Sequence, residues 1–240
     1  MDEPPPPYST VPQNEIYKLP LRLNAPKHLR AHLNEIESAT SPDTRNNHRF
    51  PQKFGLYNTL GKTADIFIAQ HAKDPHALFY ISTHTGTNSP PRISLYSYPY
   101  ESSAPLATAS FDFFAQTVAI KLFDNSTSII KAQSAQTPTA HMIFIARLQS
   151  SDSKEQFEWK SNSYRDKILS NYMSNGMKLV NSGTGETVAI WTRASFSHKK
   201  LGKMRFLTHD RSILGERFEL MAVVTLLSIL VKEREVRNNF

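Results

Sequence analysis

The chain has 240 residues, enough for one large β domain or two small ones. It contains no cysteine, which excludes disulfides, cysteine-ligated zinc, iron–sulfur clusters and thiol nucleophiles. A formal net charge of +7, from 28 basic and 21 acidic residues, fits an anionic partner or plain solubility. No RNA-recognition, zinc-finger or helix-turn-helix signature accompanies that charge, so nucleic acid ranks last among the partners.

The opening Met1-Asp2-Glu3-Pro4 has neither the basic start nor the apolar run of a secretory signal, which predicts an intracellular chain, cytoplasmic or nuclear. Residues 1–14 predict a disordered proline-rich tail, because Pro4 to Pro7 cannot join helix or sheet ladders and favour the extended polyproline conformation. Within it, Pro5-Pro6-Pro7-Tyr8 matches the Pro-Pro-x-Tyr form read by WW domains, where a preformed polyproline segment docks on an aromatic groove. An incidental proline-rich tail has the same composition. Residues 15–53 predict a partly ordered extension with an edge strand near 15–24, a short helix near 26–37 and a polar loop after it. His28 and His32 would share one face of that helix, as a metal pair needs, but no acidic third ligand goes with them; no metal or cofactor is predicted.

From residue 54 onward, short apolar or alternating segments recur at roughly 8–12-residue spacing, which predicts a β sandwich or barrel. They span 54–60, 64–70, 78–83, 93–98, 106–111, 117–123, 128–131, 141–148, 156–161, 177–180, 187–191 and 203–207. Asp74-Pro75, Ser89-Pro90-Pro91, Asp124-Asn125 and Thr137-Pro138 fall between them as breakers. Residues 177–191 predict a hairpin around Gly183-Thr184-Gly185. The densest basic cluster runs from His198 to Arg205 at a loop entering the last strand. Lys199, Lys200, Lys203 and Arg205 are the candidates for an anionic ligand, with Met204 and Phe206 facing inward. A charged, solvated strand edge is the plainer reading of the same residues.

The ending differs in kind. Residues 218–231 are the most hydrophobic window of the chain, and Lys232-Glu233-Arg234-Glu235 closes it. A strand this long would be unusual, and a transmembrane helix needs about 20 apolar residues, more than this run supplies. The favoured reading is a helix that is apolar nearly all round and therefore buried, with Phe218, Leu220, Val223, Val224, Leu226, Leu227 and Leu230 in the core. Glu216 and Glu219 in its first turn, and basic residues after the apolar run, suit the helix dipole.

About twelve strands followed by one buried terminal helix resembles the tubby C-terminal-like fold, whose superfamily includes tubby-like proteins, the plant LURP-one-related proteins and the phospholipid scramblases. The wording of Ala64-Asp65-Ile66-Phe67-Ile68, Leu78-Phe79-Tyr80-Ile81-Ser82-Thr83, Gln156-Phe157-Glu158-Trp159, Val188-Ala189-Ile190-Trp191 and residues 219–235 is similar to its uncharacterised fungal members. The resemblance covers roughly residues 54–236 and is most specific at the helix. It implies a closed β barrel over residues 54–240 with the hydrophobic helix as its plug. It assigns no catalytic residue.

Enzyme signatures are missing as well: there is no Gly-x-Ser-x-Gly elbow, His-Glu-x-x-His, phosphate loop or dinucleotide glycine fingerprint. The expectation is a non-enzymatic binding module that recognises an anionic membrane lipid, a phosphoinositide, through its basic surface. An adaptor presenting Pro5, Pro6 and Tyr8 to a WW-domain protein is the alternative. Scramblase-like activity stands third, because the apolar segment plugs its own barrel.

Overall fold

Period-two alternation puts one face of each strand toward water and the other toward a common core. In a computed structural model that describes residues 49–59, 65–71, 77–84, 91–97, 104–111, 116–123, 128–134, 142–149, 153–161, 176–195, 197, 199–207 and 211–238, twelve strands do this in succession. They are β1 (Lys53–Asn58), β2 (Ile66–Ala69), β3 (Phe79–Thr83), β4 (Ile93–Ser97), β5 (Ala107–Ser110) and β6 (Thr117–Leu122). The second half comprises β7 (Ser128–Ser134), β8 (Met142–Arg147), β9 (Lys154–Ser161), β10 (Gly176–Asn181), β11 (Thr187–Arg193) and β12 (Lys200–Phe206). Each pairs antiparallel with its neighbour in sequence, and β12 pairs with β1, so the sheet closes into a barrel with no free edge. All twelve strands fall where the alternation placed them. The last begins at Lys200 rather than Lys203, because its ladder to β1 extends to Tyr57↔Lys200.

The hairpin between β10 and β11 turns on Asn181, whose side-chain oxygen accepts from the backbone N–H groups of Gly183 (2.9 Å) and Thr184 (3.3 Å). The predicted tail with Pro5, Pro6 and Tyr8, the edge strand and helix of the extension, and His28 and His32 lie outside the described residues.

The barrel encloses α1 (Arg211–Asn238). Phe218, Leu220, Val223, Val224, Leu226 and Leu227 are at most 3 % exposed. Leu230, expected among them, is only half-buried and packs at the edge of the core, while Ile229 and Val231 on either side of it are at most 2 % exposed. Inward side chains from the strands, among them Ile68, Ile81, Leu95, Ile120, Phe144, Trp159 and Met204, meet the helix as a single core. Phe218 packs within 4.6 Å of Phe157 and near Phe144 and Phe206, ring centroid to ring centroid. The two buried hydroxyls of α1 are satisfied inside it: Thr225 Oγ1 donates to the Met221 carbonyl (2.7 Å) and accepts from Trp159 Nε1 (3.0 Å), and Ser228 Oγ donates to the Val224 carbonyl (2.8 Å). No helix among the described residues is long and apolar enough to cross a membrane.

Polar clamps hold both ends. The helix is broken at Gly215, whose φ of 80° suits glycine, and a Cβ there would come within 2.7 Å of Gln149. The long helical segment therefore starts at Glu216. Glu219 in its first turn is buried and accepts from the backbone N–H groups of Arg49 (3.0 Å) and Phe50 (3.1 Å), while Glu216 pairs with the Arg49 side chain. At the other end Arg92 donates to Glu235 at 2.9 Å with both side chains 9 % exposed, Arg193 pairs with Glu233, and Arg234 donates to Thr83 Oγ1 (3.0 Å).

Leu226 sits at the centre of this enclosure and is 0 % exposed. Leu226→Ala is expected to lower the unfolding free energy in urea by about 2–5 kcal/mol. Leu226→Asp should yield no soluble folded protein, because an unpaired buried charge has no partner in the barrel; a normal melting curve for that variant would place the residue outside the core.

Candidate anion-binding face

Closing the barrel brings two lysine-bearing strands together from opposite ends of the fold. Lys53 of β1 stands directly across from Arg205 of β12, and Gly55 across from Lys203. Like charges in facing positions destabilise a sheet by a few tenths of a kcal/mol up to about 1. Lys53, Lys203 and Arg205 are exposed, and Met204 and Phe206 between the β12 cations are buried, as the alternation requires.

Beside this seam lies a cleft of about 420 Å³ lined by Lys53, Tyr57, His71, Lys200 and Lys203, together with Pro51, Gln52, Phe54 and Gln70. Its floor is aromatic. Tyr57 is only 3 % exposed and stacks on Phe67, ring centroids 5.2 Å apart. The ring lies flat over β1 because residue 55 is glycine: a Cβ there would fall 2.4 Å from the tyrosine hydroxyl. Lys200 extends its ammonium over the same ring, 5.5 Å from the centroid.

The electrostatics follow from this crowding. The Lys200 ammonium is held below the ordinary lysine range, first by burial, then by Lys203 and then by Lys53. The unfolded chain therefore holds that proton more tightly. The charge on Lys200 costs stability below its folded pKa, and the cost is relieved as pH rises through that value. An anion in the cleft would act oppositely, favouring the charged form.

The positive field extends around the wall. Registers Lys160↔Lys178, Lys178↔Ile190, Ile190↔Arg205 and Arg205↔Lys53 draw one row across five strands, basic at four of its five positions. Lys160 is paired with Glu158 at 3.0 Å.

Of the four basic residues picked out by the sequence, Lys200 and Lys203 line the cleft, Arg205 lies beside it in the row, and Lys199 is exposed just before β12. Lys203 and Arg205 lie in the last strand, as expected, and Lys200 lies in it too rather than in the loop leading into it. Lys53 and His71 escaped sequence reading, since each is an isolated basic residue, and only the β1–β12 and β1–β2 pairings carry them to the cleft. Among the described residues no group of three His, Asp or Glu side chains could hold a metal ion. The chemistry on offer is the binding of a multiply charged anion on an aromatic floor. No family model, curated protein or solved structure matches the chain.

Lys53→Glu replaces a repulsive cross-strand pair with an attractive one. It should raise the unfolding free energy by about 0.2–1 kcal/mol at low salt, a gain that shrinks as ionic strength rises. A loss of stability in urea titrations would mean that Lys53 and Arg205 do not face each other.

Proposed function

We propose that this chain is a binding module of the tubby C-terminal-like kind, whose β1–β12 face takes the phosphorylated headgroup of a membrane phosphoinositide. The observation that carries this reading is the gathering of Lys53, Lys200 and Lys203 around one cleft, where Lys200 is held below the ordinary lysine range mainly by burial and then by its two lysine neighbours. Such mutual repulsion is unfavourable for folding, and an anion with more than one charge relieves it. The Tyr57 ring beneath Lys200 supports a fixed place for that ammonium at the cleft. The row through Arg205, Lys178 and Lys160 supports a surface that meets a membrane plane rather than a small anion alone. A terminal helix plugging a closed barrel supports the family reading and leaves the outer wall as the place for recognition.

Flotation with vesicles tests this. The chain should float with phosphatidylcholine vesicles containing phosphatidylinositol bisphosphate and not with phosphatidylcholine alone. At about 1 kcal/mol per cation near an anionic surface, Lys200→Gln/Lys203→Gln should weaken binding roughly thirtyfold. Equal binding to neutral vesicles, or none to either, would remove the proposal.

A second reading rests on the sequence alone. Pro5, Pro6 and Tyr8 present a Pro-Pro-x-Tyr segment to a WW domain, which would make the chain an adaptor. Tyr8→Ala should then abolish pull-down by an isolated WW domain, and unchanged capture would count against it.

A further inference from the structure

A side chain on the outer face of a strand ordinarily stands up into water. Phe54 and Leu56 of β1 belong to the core, so Lys53, Gly55 and Tyr57 alternate with them along the outer face. Lys53 is exposed there, yet Tyr57 is only 3 % exposed. The ring reaches that state by lying down along its own strand, over Gly55. A Cβ on residue 55 would come within 2.6 Å of the ring carbons Cε2 and Cζ. Gly55 is not one of the glycines at positive φ, so the backbone there would accept alanine; what excludes it is the ring. Glycine inside a strand weakens it, and often marks a place where another group approaches the backbone closely.

Both neighbouring strands meet this ring. On β2, Phe67 pairs with Tyr57 and stacks against it, ring centroids 5.2 Å apart. On β12, Lys200 is the ladder partner of Tyr57, and its ammonium lies 5.5 Å from the ring centroid. Lys53, Lys203 and His71 line the same cleft, and no carboxylate is among its described lining residues. The lining therefore holds no acid that could draw the Lys200 ammonium to one spot, while the charges of Lys203 and Lys53 push on it. Within the lining, the face of Tyr57 is what attracts that ammonium.

We infer that Gly55 and Tyr57 are positioning residues of the anion site: the glycine makes the space, the ring fills it, and the ring holds the Lys200 ammonium where a phosphate group meets it. This rests on the phosphoinositide reading and adds to it the uncharged residues that the site requires. Ordering a long, flexible side chain counts against binding. A lysine already held in place escapes that loss, which corresponds to about two- to tenfold in affinity. An alanine Cβ at position 55 tips the ring off the strand, and Lys200 loses its place with it.

Titration calorimetry of the full chain with soluble inositol trisphosphate tests this. Gly55→Ala should weaken binding about two- to tenfold in the native background. In a Lys200→Gln background it should weaken it no further, since a residue that acts through Lys200 has nothing to act on once the ammonium is gone. Tyr57→Phe, which keeps the ring, should bind more tightly than Tyr57→Leu, which keeps only apolar cover. A nuclear magnetic resonance pH titration of the lysine side chains gives a second readout. Gly55→Ala should move the Lys200 pKa upward, toward the ordinary lysine range, as the ammonium loses the burial that holds it down. Unchanged affinity in Gly55→Ala, a loss of equal size with and without Lys200→Gln, or equal affinity of the Phe and Leu variants would each overturn the inference. If Gly55→Ala does not fold, the Tyr57 variants decide. No binding by the native chain would instead remove the phosphoinositide reading; the lysine titration then decides the positioning by itself, and an unmoved Lys200 pKa in Gly55→Ala would overturn it.

Discussion

A helix that is apolar on every face is stable in water only if every face is covered, and that requirement organises this molecule. A layer packed on one side of α1 would leave the other side wet, so the sheet must go all the way round. Side chains alone can fill a barrel of about eight strands, and diameter grows with strand number. A helix with its side chains is about 10–12 Å across. Twelve strands give a lumen that a helix, rather than strand side chains alone, can fill. Helix and barrel are each incomplete without the other: α1 satisfies its own backbone groups and supplies the apolar filling, while the barrel removes its own edges by closing on itself.

The ends of the plug follow from the same constraint. Where the helix meets the mouths of the barrel, its terminal polarity must be met by groups from the wall. Glu219 receives the backbone N–H groups of Arg49 and Phe50 just before β1, so the carboxylate ties the start of the barrel to the start of the helix across about 170 positions of chain. Arg92–Glu235 and Arg193–Glu233 perform the corresponding task at the far end. Ion pairs as enclosed as Arg92–Glu235 add little net stability after desolvation; what they supply is register, since a helix slid by one turn would strand a buried charge.

Because the interior is filled, the cation-bearing faces of the strands lie on the outer wall. The outer faces of β12 and β1 carry cations in facing positions, an arrangement that folding by itself disfavours. There the local structure departs from what stability alone would select, through like charges held side by side.

Much of this was legible in the chain itself. Alternation such as Met142, Phe144 and Ala146 against Ile143, Ile145 and Arg147 marks a strand and its inward face without reference to anything distant, because the pleat has period two. The apolar run from Leu220 to Val231, interrupted only by Thr225 and Ser228, marks a buried helix because a half-exposed one would need a polar stripe. Lys200, Lys203 and Arg205 could be singled out because they are adjacent in sequence. Lys53 and His71 could not, since their meeting with Lys200 depends on closure of β1 onto β12, a pairing between residues roughly 150 positions apart. The break at Gly215 and the buried reception of the Arg49 and Phe50 N–H groups by Glu219 are likewise decisions of the closed barrel. Local periodicity determines which residues form strands and helix and which way they face; only long-range closure, which no local pattern encodes, decides which charges become neighbours.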